Sequence, residues 1–268
     1  MAARRRGPRR QGRGAAAGAA GAGAGRHCVV VGGGLQGAAA AYFLAKRGAQ
    51  VTVVELEQYG SAASGKAGGF LARDWGSGPT VPLHTEGFRL HAELADELGL
   101  ETYRKIPTLS VASGNGREGL KLTDWLDGSI ANARIMDTNT AQVTPLEITT
   151  KLAAAAADMG AQTVIGRAKG VVSAPDGAAS KVEAVRVEVA GQEEELVLGC
   201  SDVLVAMGVW STLTAPWFGL EPDSWPITGI KSTHTLWRAG EAVMEEPAAL
   251  FCGEEANGTH LEIYPRSK

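Results

Sequence analysis

The sequence predicts an α/β fold nucleated by a βαβ unit with parallel strands, and three observations predict it. A short apolar, β-branched run, Cys28 to Val31, stops at a glycine cluster, as a strand buried on both faces does. Leu35 to Lys46 follows as a helix closed by Gly48, and Val51 to Val54 is a second buried strand. Between strand and helix, Gly32, Gly34 and Gly37 satisfy G-x-G-x-x-G, and Glu55 ends the second strand 21 residues after Gly34.

Each of these positions has a physical task. Gly32 permits the tight turn, Gly34 lets backbone approach a pyrophosphate, and Gly37 lets the helix pack closely on the strands. The phosphates would sit at the helix N-terminus, at Leu35 and Gln36, where free N–H groups and the dipole favour negative charge. Glu55 can accept hydrogen bonds from two ribose hydroxyls, and its charge would repel a 2′-phosphate. The unit is therefore Rossmann-like. A ligand-free βα turn and a membrane span over the uncharged run Cys28 to Ala45 are the competing readings. Glycines, alanines and Gln36 make that run poorly lipophilic, which argues against the span.

The 268 residues suffice for one large domain or two modest ones, and 44% apolar with 21% charged residues is ordinary for a globular protein. The net charge of −3 hides an asymmetry, because Arg4, Arg5, Arg6, Arg9, Arg10 and Arg13 stand in an N-terminal stretch without acids. The remainder has 20 basic against 29 acidic residues, a balance near −9 that excludes a nucleic-acid binder by bulk electrostatics. Cys28, Cys200 and Cys252 show neither a disulfide framework nor a zinc spacing, and the five histidines show no ligand spacing. No metal site is expected.

Residues 1–26 are Arg/Gly/Ala-rich, with too little large apolar surface to order themselves, and read as a disordered tail or a transit peptide. That leaves a cytoplasmic or an organellar location open. Behind Glu55, residues 59–71 form a second glycine- and serine-rich loop, which suggests a second clamp on the same ligand.

With Gly32-x-Gly34-x-x-Gly37, Glu55 and Ser61-x-x-Ser64-Gly65-Lys66-x-Gly68-Gly69 in place, the chain resembles the glutathione-reductase-type FAD proteins. Within them it resembles the D-amino-acid oxidase superfamily, which includes glycine and sarcosine oxidases. The resemblance implies FAD rather than NAD, with Ser64, Gly65, Lys66, Gly68 and Gly69 along the flavin and its ribityl arm.

Pro82 to Leu98 places Leu83, Phe88 or Leu90, Leu94 and Leu98 on a helical period, with His84 and His91 seven residues apart on it. Tyr103 to Ala112 and the stretch from about Leu120 to Ala133 read as strands of a second region. Leu146 to Met159 is an alanine-rich helix, followed by apolar runs over Thr163 to Val172, Lys181 to Val189, Glu195 to Leu198 and Ser201 to Ala206. The resemblance assigns Ala168 to the adenine. It also assigns Ala206, Gly208 and Trp210, from Ala206-Met207-Gly208-Val209-Trp210-Ser211, to the cofactor side, with Trp210 as a packed aromatic. The stretch Pro226 to His234 would re-enter a substrate sheet, and Leu261 to Arg266 would form another of its strands.

The resulting expectation is a Rossmann-like FAD-binding domain, residues 27–100 and 142–215, interleaved with an incomplete antiparallel substrate sheet, residues 101–141 and 216–268. Superfamily members continue for roughly another hundred residues, so the chain reads as truncated at its C-terminus. The implied function is oxidation of a C–N bond of a small amine or amino acid by hydride transfer to flavin N5, with oxygen or another acceptor reoxidising the flavin. No general base is evident. Tyr264, Arg266 and Lys231 are the candidates for contact with a substrate carboxylate. Flavin binding without turnover and an NAD-dependent dehydrogenase are the alternatives.

Overall fold

A computed structural model describes residues 25–114, 122–126, 129–174, 181–254 and 258–267. The expected tail, residues 1–26, lies almost wholly outside the described residues. In chain order the elements begin with β1 (His27–Val31), α1 (Leu35–Lys46), β2 (Gln50–Glu55), α2 (Ala63–Lys66), β3 (Phe70–Ala72) and α3 (Val81–Leu98). The middle holds β4 (Arg104–Lys105), β5 (Thr108–Ser113), β6 (Ile130–Asp137), β7 (Thr140–Gln142) and α4 (Pro145–Asp158). There follow β8 (Gln162–Ile165), β9 (Arg167–Ser173), β10 (Val182–Glu188), β11 (Leu196–Gly199) and β12 (Asp202–Val205). The chain closes with α5 (Glu241–Glu245), β13 (Ala249–Cys252) and β14 (Glu262–Ile263).

The central sheet is parallel, in the order β12-β1-β2-β8. The two-residue period of a strand divides its side chains between two cores. Cys28, Val30, Val51 and Val53 face α1 and α4, where they meet Ala38, Ala41, Tyr42, Ile148, Leu152 and Ala156. Val29, Val31 and Val54 face the antiparallel meander β9–β10–β11 and meet Val185 and Val187. The valines at 29 and 30 are both 0% exposed, each burial contributing about 1.5 kcal/mol or more. Burial pushes the Cys28 thiol up to about 11.

Close approach explains two of the glycines. A Cβ on Gly37 would lie 1.8 Å from the Gly32 carbonyl oxygen, so only glycine lets α1 reach β1 here. Gly32 itself has φ +110°, and a Cβ on it would stand 2.4 Å from the Ala206 carbonyl oxygen.

Beside this layer lies a second four-stranded sheet, β14-β13-β5-β6, in which β13 and β5 run parallel and the other pairs antiparallel. Leu109, Val111, Ala133, Ala248 and Leu250 form its core. A three-stranded sheet, β3-β7-β4, joins the two halves. It is fastened to the second sheet through Thr140, whose hydroxyl donates to Ile106 O at 2.6 Å and accepts from Thr108 Oγ1 at 2.9 Å.

Several expectations need correction. The run Thr163 to Val172 is two strands, because the Gly166 N–H turns to Glu55 O at 2.8 Å and sends the chain from the central sheet into the meander. Residues 226–240 form no strand, since no partner strand pairs with them, and Ile230 is 95% exposed. Of Leu261 to Arg266 only Glu262 and Ile263 are strand, with the Cys252 N–H on Leu261 O beside them, and Pro265 has no N–H with which to extend the ladder. Leu83 is 72% exposed because the N-terminal half of α3 runs beyond the core that buries Leu94 and Ala95. His84 lies against Gly76, and His91 Nδ1 meets the carbonyl of Gly87 at 2.7 Å within the helix. Among the described residues no helix is long and apolar enough to cross a membrane.

Two outcomes test this packing. Gly37→Ala should lower the unfolding free energy by about 3 kcal/mol or more through backbone overpacking, whereas Gly87→Ala, with open space around its Cβ in mid-helix, should raise it by about 0.5–1 kcal/mol. Denaturant midpoints of the two variants check both signs. In native protein at pH 8, Cys28 should resist thiol-specific labelling that modifies it readily once the chain is unfolded, because burial keeps its thiol protonated.

Candidate cofactor and active site

At the C-terminal end of β1 the chain must turn into α1 with buried backbone N–H groups in need of partners. The Gly32 N–H bonds to Val54 O at 2.8 Å. The Gly33 N–H bonds to Glu55 Oε2 at 2.6 Å, and the Gly60 N–H bonds to Gly33 O at 3.0 Å. Glu55, 8% exposed, also accepts from the Glu57 N–H at 3.1 Å, with the Ser61 hydroxyl at 3.5 Å. Its first task in this structure is thus to hold the turn, a role for Gly33 and Glu57 that the motif did not reveal. A carboxylate has about four lone-pair sites, so acceptance of a further hydroxyl remains compatible with these bonds.

The N-cap of α1 is Gly34, which has no side chain to offer, and the first turn carries no acidic residue. Ser64, from the second glycine-serine loop, supplies the cap instead, donating no charge while its Oγ accepts the Leu35 N–H at 2.9 Å. The loop and the helix terminus are thereby placed against each other. Gln36 and Lys66 are exposed at this end. A Cβ on Gly65 would lie 2.1 Å from Gly60 O, and one on Gly69 2.0 Å from Val143 O. A Cβ on Gly68 would lie 2.5 Å from the Tyr264 ring.

Of the other predicted positions, Ala206 is joined to the glycine turn, its N–H bonding to Val31 O at 2.8 Å and its carbonyl facing Gly32. Gly208 begins the following 3-10 segment at φ +57°. Trp210 is 52% exposed, so it is not the packed aromatic expected of it; the 3-10 segment presents its neighbour Ser211 to the interior instead. Ala168 pairs with Val187 in the meander.

The three substrate-contact candidates divide. Tyr264 stacks on Phe70 with centroids 5.3 Å apart, and its phenol donates to Glu262. Burial, reinforced by that carboxylate, raises the Tyr264 pKa and keeps the hydroxyl protonated. Arg266, two residues on along the same extended segment, donates to Ala67 O at 2.6 Å. Both residues therefore meet the loop 67–70. Lys231 lies on the irregular stretch 226–240, exposed, with no hydrogen bond or ion pair among the described residues. Sequence reasoning missed Arg104 and Gln142, cross-strand partners in β4 and β7. Arg104 donates to Pro265 O at 2.8 Å, and Gln142 Nε2 to Gly68 O at 3.4 Å.

The family model of the FAD dependent oxidoreductases matches residues 27–266, across both sheets and the glycine turn. The chain belongs to this FAD-dependent oxidoreductase family. A Schizosaccharomyces pombe protein, C1F5.03c, classed by its name with the oxidoreductases, is 29% identical over 218 residues, 71% of this chain and 56% of that protein. TDA3 of Saccharomyces cerevisiae, so named too, is 38% identical over 119 residues, 41% of this chain and 22% of that one. The chain thus spans about half the length of the first of these relatives and less of the second. Among solved structures, glycine oxidase from Geobacillus kaustophilus aligns with a TM-score of 0.60 at 24% identity, covering 73% of this chain and 59% of the other. L-amino acid deaminase from Proteus myxofaciens aligns with a TM-score of 0.62 at 19% identity, covering 90% and 58%. These likenesses show the shared α/β fold.

The geometry fits the family's cofactor. A helix terminus free of acidic residues, a turn built of glycines and a strand-end carboxylate are the groups that a flavin dinucleotide requires. Ser64→Ala should cost about 1 kcal/mol of stability through loss of the cap, and Ser64→Thr should restore most of it, as read from thermal unfolding of the two variants.

Proposed function

We propose that this FAD-dependent oxidoreductase oxidises a C–N bond of a small amine or amino acid. The observation that carries the reading is the gathering of the glycine turn, the α1 terminus, Glu55 and the glycine-serine loop at one end of the parallel sheet, with Phe70 and Tyr264 over the loop. The names of two structural neighbours, a glycine oxidase and an L-amino acid deaminase, support a substrate of this class. When bound, FAD supplies the hydride acceptor for oxidation of the carbon–nitrogen bond to an imine, which water hydrolyses.

The chain's own residues supply binding and orientation. Gly32, Gly34 and Gly37 with the N–H group of Gln36 would receive the pyrophosphate beside the Leu35 N–H that Ser64 Oγ holds, and Glu55 would receive the adenosine ribose. Ser64, Gly65, Lys66, Gly68 and Gly69 would line the flavin arm, Ala168 the adenine, and Ala206, Gly208 and Trp210 the opposite flank. Arg266, with one donor engaged on Ala67 O, keeps further N–H groups for a substrate carboxylate. Tyr264, held protonated, orients rather than abstracts a proton.

The purified protein should be yellow and release FAD on acid treatment, and an amine or amino-acid substrate should bleach it without oxygen. Gly34→Glu should weaken FAD binding about a hundredfold or more, since like charges brought together cost several kcal/mol, while far-UV circular dichroism stays unchanged. A folded Gly34→Glu protein with full flavin content would overturn the phosphate assignment. A yellow protein that no amine bleaches would leave flavin binding without turnover.

A further inference from the structure

Four aromatic rings meet where the flavin loop joins the second sheet. Phe70 follows Gly69 directly, Trp75 comes from the next loop, Phe251 from β13, and Tyr264 from the segment after β14. Phe70 lies 5.2 Å from Trp75 and 5.4 Å from Phe251, and Trp75 lies 5.0 Å from Phe251, edge to face. Tyr264 stacks on Phe70 and rests against the Cα of Gly68.

Three features distinguish this group from an ordinary core. The rings are not sealed: Trp75 is 37% exposed and the other three are partly exposed. Their polar edges are fixed, the Trp75 indole N–H by Asp137 at 2.8 Å and the Tyr264 hydroxyl by Glu262, so the ring planes are set before anything binds. The Tyr264 ring lies directly on Gly68 of the predicted flavin loop, where a Cβ would come within 2.5 Å of it.

We infer that Phe70, Trp75, Phe251 and Tyr264 form a specificity wall that receives an apolar, phenyl-sized part of the substrate. The inference rests on the flavin-loop reading above and deepens it, since it selects amines that carry a bulky apolar group over glycine-sized ones. Aromatic faces reward such a group by area burial and by ring–ring geometry, gains that a methylamine-sized substrate lacks, while the attraction of the rings for an ammonium is common to both.

The test uses FAD-loaded protein and two amines without hydrogen on the carbon bonded to nitrogen, tert-butylamine and its phenyl-bearing homologue α,α-dimethylphenethylamine. Neither can be oxidised there, so calorimetry reads binding alone. The homologue should bind about tenfold tighter, as half-burying a phenyl group implies. Trp75→Ala should bring the two affinities to within about twofold with FAD content unchanged. Phe251→Leu, which keeps β13 apolar, should erode the preference in the same direction. Equal binding of the two amines by the unaltered protein, or an undiminished preference in both variants, overturns the wall. Loss of FAD from a folded Trp75→Ala protein overturns it too, by giving the rings to the cofactor. If the preference holds but no oxidisable amine bleaches the flavin, the proposed reaction fails while the wall stands.

Discussion

The hydrogen bond from the Gly33 N–H to the Glu55 carboxylate is the constraint on which the rest of the structure depends. A turn from a buried strand into a helix leaves N–H groups that water cannot reach, and a charged acceptor satisfies one at about 1.5–3 kcal/mol. Because that acceptor ends β2, the bond also fixes the turn to the neighbouring strand, with the Gly32 N–H on Val54 O beside it. The Glu55 carbonyl then receives the Gly166 N–H, which ends β8 against the same point. The direction of α1, the opening at its N-terminus and the departure of the chain into the meander all follow from groups within these few residues.

Much of this was legible because it is local. The β1–α1–β2 unit and α4 announce themselves by period, terminating glycine and initiating proline, and the structure places their ends within a residue or so of the expectation. What was not legible depends on distant partners. In the run from Thr163 to Val172, Gly166 marks a break, but only its distant partner, Glu55 O, shows that the chain changes sheet there. The cap of α1 escaped the usual signal because Ser64 stands 29 residues from the N–H it accepts. Leu83 fits the helical stripe, but a stripe is buried only as far as its neighbours extend. The pairing of β3, β7 and β4 joins three-residue and two-residue strands from segments distant in sequence, Phe70 opposite Gln142 and Arg104 opposite the same residue, too short for any period to show.

Besides the Thr140 hydroxyl and the stacked rings, the junction between the halves uses cations and amides that bind backbone carbonyls. Arg104 reaches Pro265 O, with Met244 O at 3.5 Å, Arg266 reaches Ala67 O, and Gln142 reaches Gly68 O. Desolvation lowers the Arg104 pKa, and no carboxylate pairs with it among the described residues. A guanidinium titrates so far above neutrality that it stays charged regardless. Its planar fork therefore sets the spacing between β4 and the segment 264–266 through carbonyl dipoles rather than through a flexible ion pair.

That choice of partners bears on how the site can work. Carbonyl acceptors do not titrate, guanidinium groups stay charged, and Tyr264 is held as a neutral donor by burial and by Glu262. The contacts that seat the segment 264–266 on the loop 67–70 therefore keep their ionisation across the neutral range. Rotation of Tyr264 away from Gly68 would have to break its bond to Glu262 and its stacking on Phe70 together. A scaffold of this kind suits a family whose electron acceptor is a bound cofactor: the protein has to hold the loop 67–70 and the segment 264–266 in one arrangement, and it does so with groups whose charge is constant across the neutral range.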